Sequence, residues 1–140
     1  MTHTLDALVA LEETTAGGAP PAGPDSDGPR TVTARTHAAW ANMVGPYGGA
    51  TAAQALAAVD TDPRAHGRPA ALTLNFAAPV VDGAMSVVVE PVRTNRSNQH
   101  WTVRIDQEAH AVLTGTALYA QGRETFSDTE VQAPEVPAPA

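Results

Sequence analysis

The sequence predicts an α+β domain in which one long central helix is wrapped by a strongly curved antiparallel sheet. Three observations carry that expectation. Residues 50–59, ATAAQALAAV, are small helix formers, apolar nearly all round, as a buried helix requires. Four β-rich segments follow, ALTLNFAAP (71–79), AMSVVVEPVRT (84–94), HWTVRIDQ (100–107) and AVLTGTALYAQ (111–121). The links between them, Val81-Asp82-Gly83, Asn95 to Gln99 and Glu108-Ala109-His110, are short enough for antiparallel neighbours.

LDALVALEE (5–13) places Leu5, Leu8 and Val9 on one stripe and Asp6 in the first turn, so 1–15 reads as an N-terminal helical segment. Residues 16–30 are rich in Gly, Pro and Asp and read as a flexible loop. Its D-S-D-G stretch (25–28) resembles the start of a calcium loop, but the later oxygen ligands are missing and a turn is the better reading. TVTART (31–36) alternates β-branched residues and opens the main domain, 31–123, with a strand. Gly45, Pro46, Gly48 and Gly49 mark a loop before the helix, and Asp60, Asp62 and Pro63 close it. Pro91 points to an edge or a bulge in its strand. Residues 124–140 lose periodicity and read as a tail or linker.

Composition bounds the chemistry. The 140 residues suit one domain, and a net charge of −7 disfavours nucleic acid as partner. All eight basic residues are Arg, so Schiff-base and P-loop lysines are excluded. No Cys is present, which removes thiol nucleophiles, disulfides and Cys-based zinc sites. No G-x-S-x-G elbow, zinc-spaced His pair or G-x-G-x-x-G follows a strand, so no metal and no cofactor are expected. No apolar run approaches the ~20 residues of a membrane helix, and the first residues lack a basic leader; the expectation is a soluble, cytoplasmic domain with no membrane partner. One residue in five is alanine and only 4% are aromatic. Small side chains bury little area each, at ~25 cal/mol per Å², so a partner surface is expected to complete the core.

Tyr47-Gly48-Gly49 followed by Gln54-Ala55-Leu56, then Asn75-Phe76-Ala77-Ala78-Pro79, then Val92 to Ser97 and Arg104 to Gln107, occur in the order and spacing of the TesB-like acyl-CoA thioesterases. Over residues 5 to 123 the chain resembles their N-terminal hotdog domain. The resemblance implies a single hotdog, an acyl-CoA substrate, and either a homodimer or pairing with a second hotdog domain. The family pattern has two hotdogs in one chain, with Asp, Thr and Gln expected from the second in many members. A natural single-domain protein and one half of a larger enzyme both fit.

A thioester carbonyl needs donors aimed at its oxygen as attack proceeds. A helix start offers free amides and a favourable dipole, and paired glycines clear the approach. The expected oxyanion site is the amides near Gly49 and Ala50, with Tyr47 and Gly48 beside the substrate. Gln54 holds the helix position of the catalytic carboxylate in active hotdogs; it can orient a water, or serve as a structural amide bonded to backbone. Asn42 precedes the glycine turn as in some single-hotdog thioesterases, and otherwise bonds its own loop. The expected catalytic set is Gly49, Gln54 and Asn42; Tyr47, Gly48, Asn75 and Arg96 are expected to bind substrate, Arg96 through phosphate. For Arg104 an ion pair with Asp106 is the better reading. Two functions stay open: hydrolysis of an acyl-CoA thioester by water, and a non-catalytic hotdog that binds acyl ligands or completes a partner. A hydratase is disfavoured, because helix 50–59 carries neither Asp nor His.

Overall fold

Alternation of buried and more exposed residues over 84–90 and 98–107 sets the core. The computed structural model describes residues 3–14 and 27–138. Its elements are α1 (Thr4–Leu8), β1 (Glu12–Glu13), β2 (Arg30–Arg35), α2 (Gly48–Asp60), β3 (Arg68–Phe76), β4 (Ala84–Thr94), β5 (Asn98–Gln107) and β6 (His110–Ala120). The strands form one antiparallel sheet in the order β1-β2-β4-β5-β6-β3. Trp101, Val103 and Ile105 of β5, with Met85, Val87 and Val89 of β4, turn one face inward. α2 lies on that face through Ala55, Ala58 and Val59, all fully buried. Alanine at the contact lets the helix approach the sheet closely, which is the packing use of the small-residue composition. One long helix on one curved antiparallel sheet is the fold class the sequence predicts.

Several boundaries differ, each for a physical reason. α1 ends at Leu8, because Glu12 and Glu13 extend to pair with Thr33 and Val32. Arg30 is not loop: it opens β2 and is buried, its guanidinium bonded to Glu13, the Ala58 carbonyl (3.0 Å) and Thr61 (3.2 Å). Most of the Gly/Pro-rich stretch, residues 15–26, lies outside the described residues. α2 starts two residues before Ala50, so both glycines belong to its first turn. Pro91 sits at a bulge in an interior strand. The expected β3–β4 neighbours are not neighbours: β3 pairs with β6 at the far edge, while β4 pairs with β2 and β5. The link between them crosses the ends of β6 and β5. Ala77 donates to the Val112 carbonyl (2.9 Å), and the Gln107 amide binds Val81 in both directions at 2.9 Å. Residues 121–138 contain no helix or strand and are exposed throughout.

Polar side chains fasten the other end of α2. Tyr119 donates to Asp60 at 2.6 Å, and burial followed by that bond pushes its hydroxyl pKa upward. The Asp62 carboxylate, fully buried, receives both the Nε and Nη2 of Arg64, at 2.9 and 2.8 Å, while Arg64 lies over the Trp101 ring. Burial raises the Asp62 pKa, but the Arg64 hydrogen bonds and charge outweigh it and the net shift is downward. A carboxylate held below its unfolded value stabilises the fold above that value and loses the contribution as pH falls through the lowered one. Asp62→Asn is therefore expected to cost about 2 kcal/mol at pH 7 and progressively less below pH ~4, read by urea unfolding across pH. An equal cost at pH 3 and pH 7 would remove the ion pair from the acid limb.

Candidate functional site

The helix start is set by the loop before it. Asn42 closes that loop, its Oδ1 accepting from the amides of Val44 (2.9 Å) and Gly45 (3.2 Å), and its own N–H donates to the Gly45 carbonyl (2.7 Å). At Gly45 a Cβ would stand 2.7 Å from the Val80 carbonyl, so only glycine lets loop and link touch. The Tyr47 amide then donates to the Trp40 carbonyl at 2.7 Å, which fixes where α2 begins.

The first four amides of a helix have no partner within it. Here the Tyr47 carbonyl accepts from Ala50 (2.9 Å) and Thr51 (3.3 Å). The Ala50 amide is thus removed from the expected oxyanion pair. The amides without a partner among the described residues are those of Gly48 and Gly49. Two aromatic rings flank them. The Phe76 ring lies 3.4 Å from where a Cβ on Gly48 would be, and the Tyr47 ring would overlap a Cβ on Gly49. Tyr47 is 57% exposed and Phe76 53%.

Beside these amides opens a cavity of about 410 Å³. Its walls are Val44 to Pro46 of the loop, Gly48 and Thr51 of α2, and residues 76–80. No lining residue has an ionisable side chain. The positive end of the helix dipole, the Gly48 amide and the Thr51 hydroxyl are the polar groups that α2 brings to the pocket wall, and the Gly49 amide lies next in the chain.

The structure brings part of the expected set together. Gly48 and Gly49 form the helix start with Tyr47 against them, and Asn42 holds the loop next to it. Gln54 is 1% exposed and outside the cavity wall; its Nε2 donates to the carbonyls of Leu8 (3.0 Å) and Arg35 (2.7 Å). Both amide hydrogens thus tie α1 and β2 to α2. Asn75 is exposed and precedes Phe76, so it stands on the opposite sheet face. Arg96 is exposed in the β4–β5 turn. That turn adjoins the row Asn98–Ala120–Arg68, whereas the cavity adjoins Phe76–Leu113, roughly 26 Å away along β3 at ~3.3 Å per residue. Arg96 and the helix start are therefore not brought together within the chain. Arg104 bonds Asp106 at 2.8 Å, as expected. The reading by residues missed Thr51 and Phe76 as cavity walls; their signal was position, one turn into the helix and at the strand's last residue.

A helix cradled by a curved antiparallel sheet, with a glycine-opened start facing an apolar pocket, is a hotdog domain. The model of the acyl-CoA thioesterase N-terminal domain matches residues 36–120, and the chain belongs to that family. A conserved protein of unknown function with a hot dog fold from Alicyclobacillus acidocaldarius is 40% identical, with a TM-score of 0.81 over 99% of this chain and 47% of that one. The chain thus spans about half of that protein's length. A candidate thioesterase II from Thermobifida fusca aligns over 97% of this chain and 46% of its own, at 14% identity and a TM-score of 0.67. The phenylacetic acid degradation protein PaaI of Thermus thermophilus, in a mutant form, aligns over 69% of this chain and 87% of its own, at 17% identity and a TM-score of 0.62. These last two show the fold alone. Comparison with curated protein sequences returns no match.

Proposed function

We propose that this acyl-CoA thioesterase-like domain holds the carbonyl of an acyl-CoA thioester at the Gly48 and Gly49 amides while water attacks it in the cytoplasm. The observation that carries the reading is the unspent amide of Gly48 in the wall of an apolar cavity, with the unspent amide of Gly49 next to it at the helix start. Developing negative charge on the carbonyl oxygen suits those amides and the helix dipole, and the acyl group suits the apolar walls. In this reading Tyr47 flanks the thioester, Asn42 keeps the loop closed, and Gln54 acts on water only through Oε1. No described helix is long and apolar enough to cross a membrane.

A second reading has its own observation. The cavity lacks a general base, and β3 is an open edge. Almost every residue of that strand is exposed, Leu72 and Phe76 among them. Long open edges are normally covered. A second hotdog, from another copy or another chain, would cover the edge and supply the base. Acyl-CoAs of graded chain length with a thiol reporter test turnover, and sizing in solution tests association. The expected result is a dimer at low micromolar concentration. A stable monomer that turns over acyl-CoA would defeat the shared-site reading, and a dimer that binds without turnover would defeat hydrolysis by this chain alone.

A further inference from the structure

Thr51 is 1% exposed, yet it lines the cavity at the helix start. Buried hydroxyls ordinarily find a partner, and a helical threonine commonly bonds the carbonyl four residues back. Thr61, at the end of the same helix, does so to Ala57 at 2.8 Å. The corresponding carbonyl for Thr51 is that of Tyr47, already occupied by the Ala50 and Thr51 amides. Among the described residues the Thr51 hydroxyl has no hydrogen bond. It is also the only side-chain polar group among the cavity-lining residues.

We infer that Thr51 is a ligand-binding residue whose hydroxyl donates to the carbonyl oxygen of a bound acyl group, as a third donor beside the Gly48 and Gly49 amides. The inference rests on the carbonyl-binding reading of this cavity and narrows the ligand. One carbonyl is recognised by three donors, and the remaining walls are apolar. The acyl group is therefore uncharged along its length, because a carboxylate on it would meet no charged or side-chain donor in the remaining walls.

Two analogues separate this from a structural role. One is a ketone in which a methylene stands between carbonyl and sulfur of an acyl-CoA; the other is the thioether, which has no carbonyl. Calorimetric binding is measured to the full chain and to Thr51→Val and Thr51→Ser, with Thr51→Ala as a second hydroxyl-free variant if the valine form does not fold. Removing the hydroxyl is expected to weaken the ketone about five-fold, the scale of one neutral hydrogen bond, and to leave the thioether unchanged. Thr51→Ser should retain the wild-type ratio between the two analogues. Equal losses on both analogues, or none on the ketone, would overturn the role of Thr51 while leaving the acyl-binding cavity standing. Failure of the wild-type chain to bind either analogue would overturn the cavity reading as well.

Discussion

Gln54→Leu is expected to lower the unfolding free energy by about 3 kcal/mol while nearly conserving side-chain volume. The wild-type amide is almost fully buried and spends both hydrogens on backbone carbonyls, one from Leu8 and one from Arg35. Leucine removes two donors and supplies none. Each carbonyl that stays buried without a replacement costs about 1–3 kcal/mol, more than the net gain of the original bonds. The loss falls on specific elements. Leu8 belongs to α1, so this helix is expected to loosen first, seen as faster amide exchange in residues 3–9. The same variant tests the proposed catalytic part. If Oε1 orients the attacking water, turnover per folded molecule falls ten-fold or more, beyond what the unfolded fraction explains. Turnover unchanged after correction for that fraction would make Gln54 a fastener alone. A stability loss under 1 kcal/mol would mean that the carbonyls find other donors, and the structural argument would fail.

The split in Gln54 shows how much the sequence carries. A buried amide on a helix of alanines requires partners, but composition cannot say whether they are backbone or substrate. The same limit explains β3. Leu72, Leu74 and Phe76 alternate as in a half-buried strand, yet only Leu74 packs on the core, with the other two exposed at the edge. Alternation reports that one face is apolar, and is silent on what covers it. Loop length misled for a related reason. The β3–β4 link is short, but it runs across two strand ends because Gln107 and Val112 bind it there. The glycines hid the true start of α2, since their helix propensity is poor. At Gly49 the Tyr47 ring stands where a Cβ would be, while at Gly48 the Phe76 ring is at ordinary contact distance from that place. The helix, the core strands and the glycine turn were legible because they rest on local composition. Thr51 and the open edge were not, because each depends on which distant segment arrives beside it.

The open edge leads to the second large effect, at Gly115. In β6 this residue pairs with Val103 on one side and Leu74 on the other. A Cβ there would stand 2.5 Å from Leu74 Cδ2 and closer still to the Thr73 carbonyl. The leucine methyl can turn aside, but the carbonyl belongs to the sheet's backbone and moves only if the strand moves. Gly115→Ala is therefore expected to push β3 away from β6 and to cost about 3 kcal/mol, the upper range for overpacking. β6 is the sole strand partner of β3 among the described residues, so nothing on the other side restrains the shift. Phe76 ends the displaced strand, and its ring rests against Gly48 at the cavity. Stability and ligand binding are then coupled through one strand. Under conditions where the variant stays folded, affinity for the acyl-CoA ketone analogue should fall about ten-fold, while the indole fluorescence of fully buried Trp101, on the core side and read in a Trp40→Phe background, stays native. Loss of stability with unchanged affinity would separate β3 from the pocket. Unchanged stability would mean that the strands slide without cost, and the packing argument at this edge would be wrong.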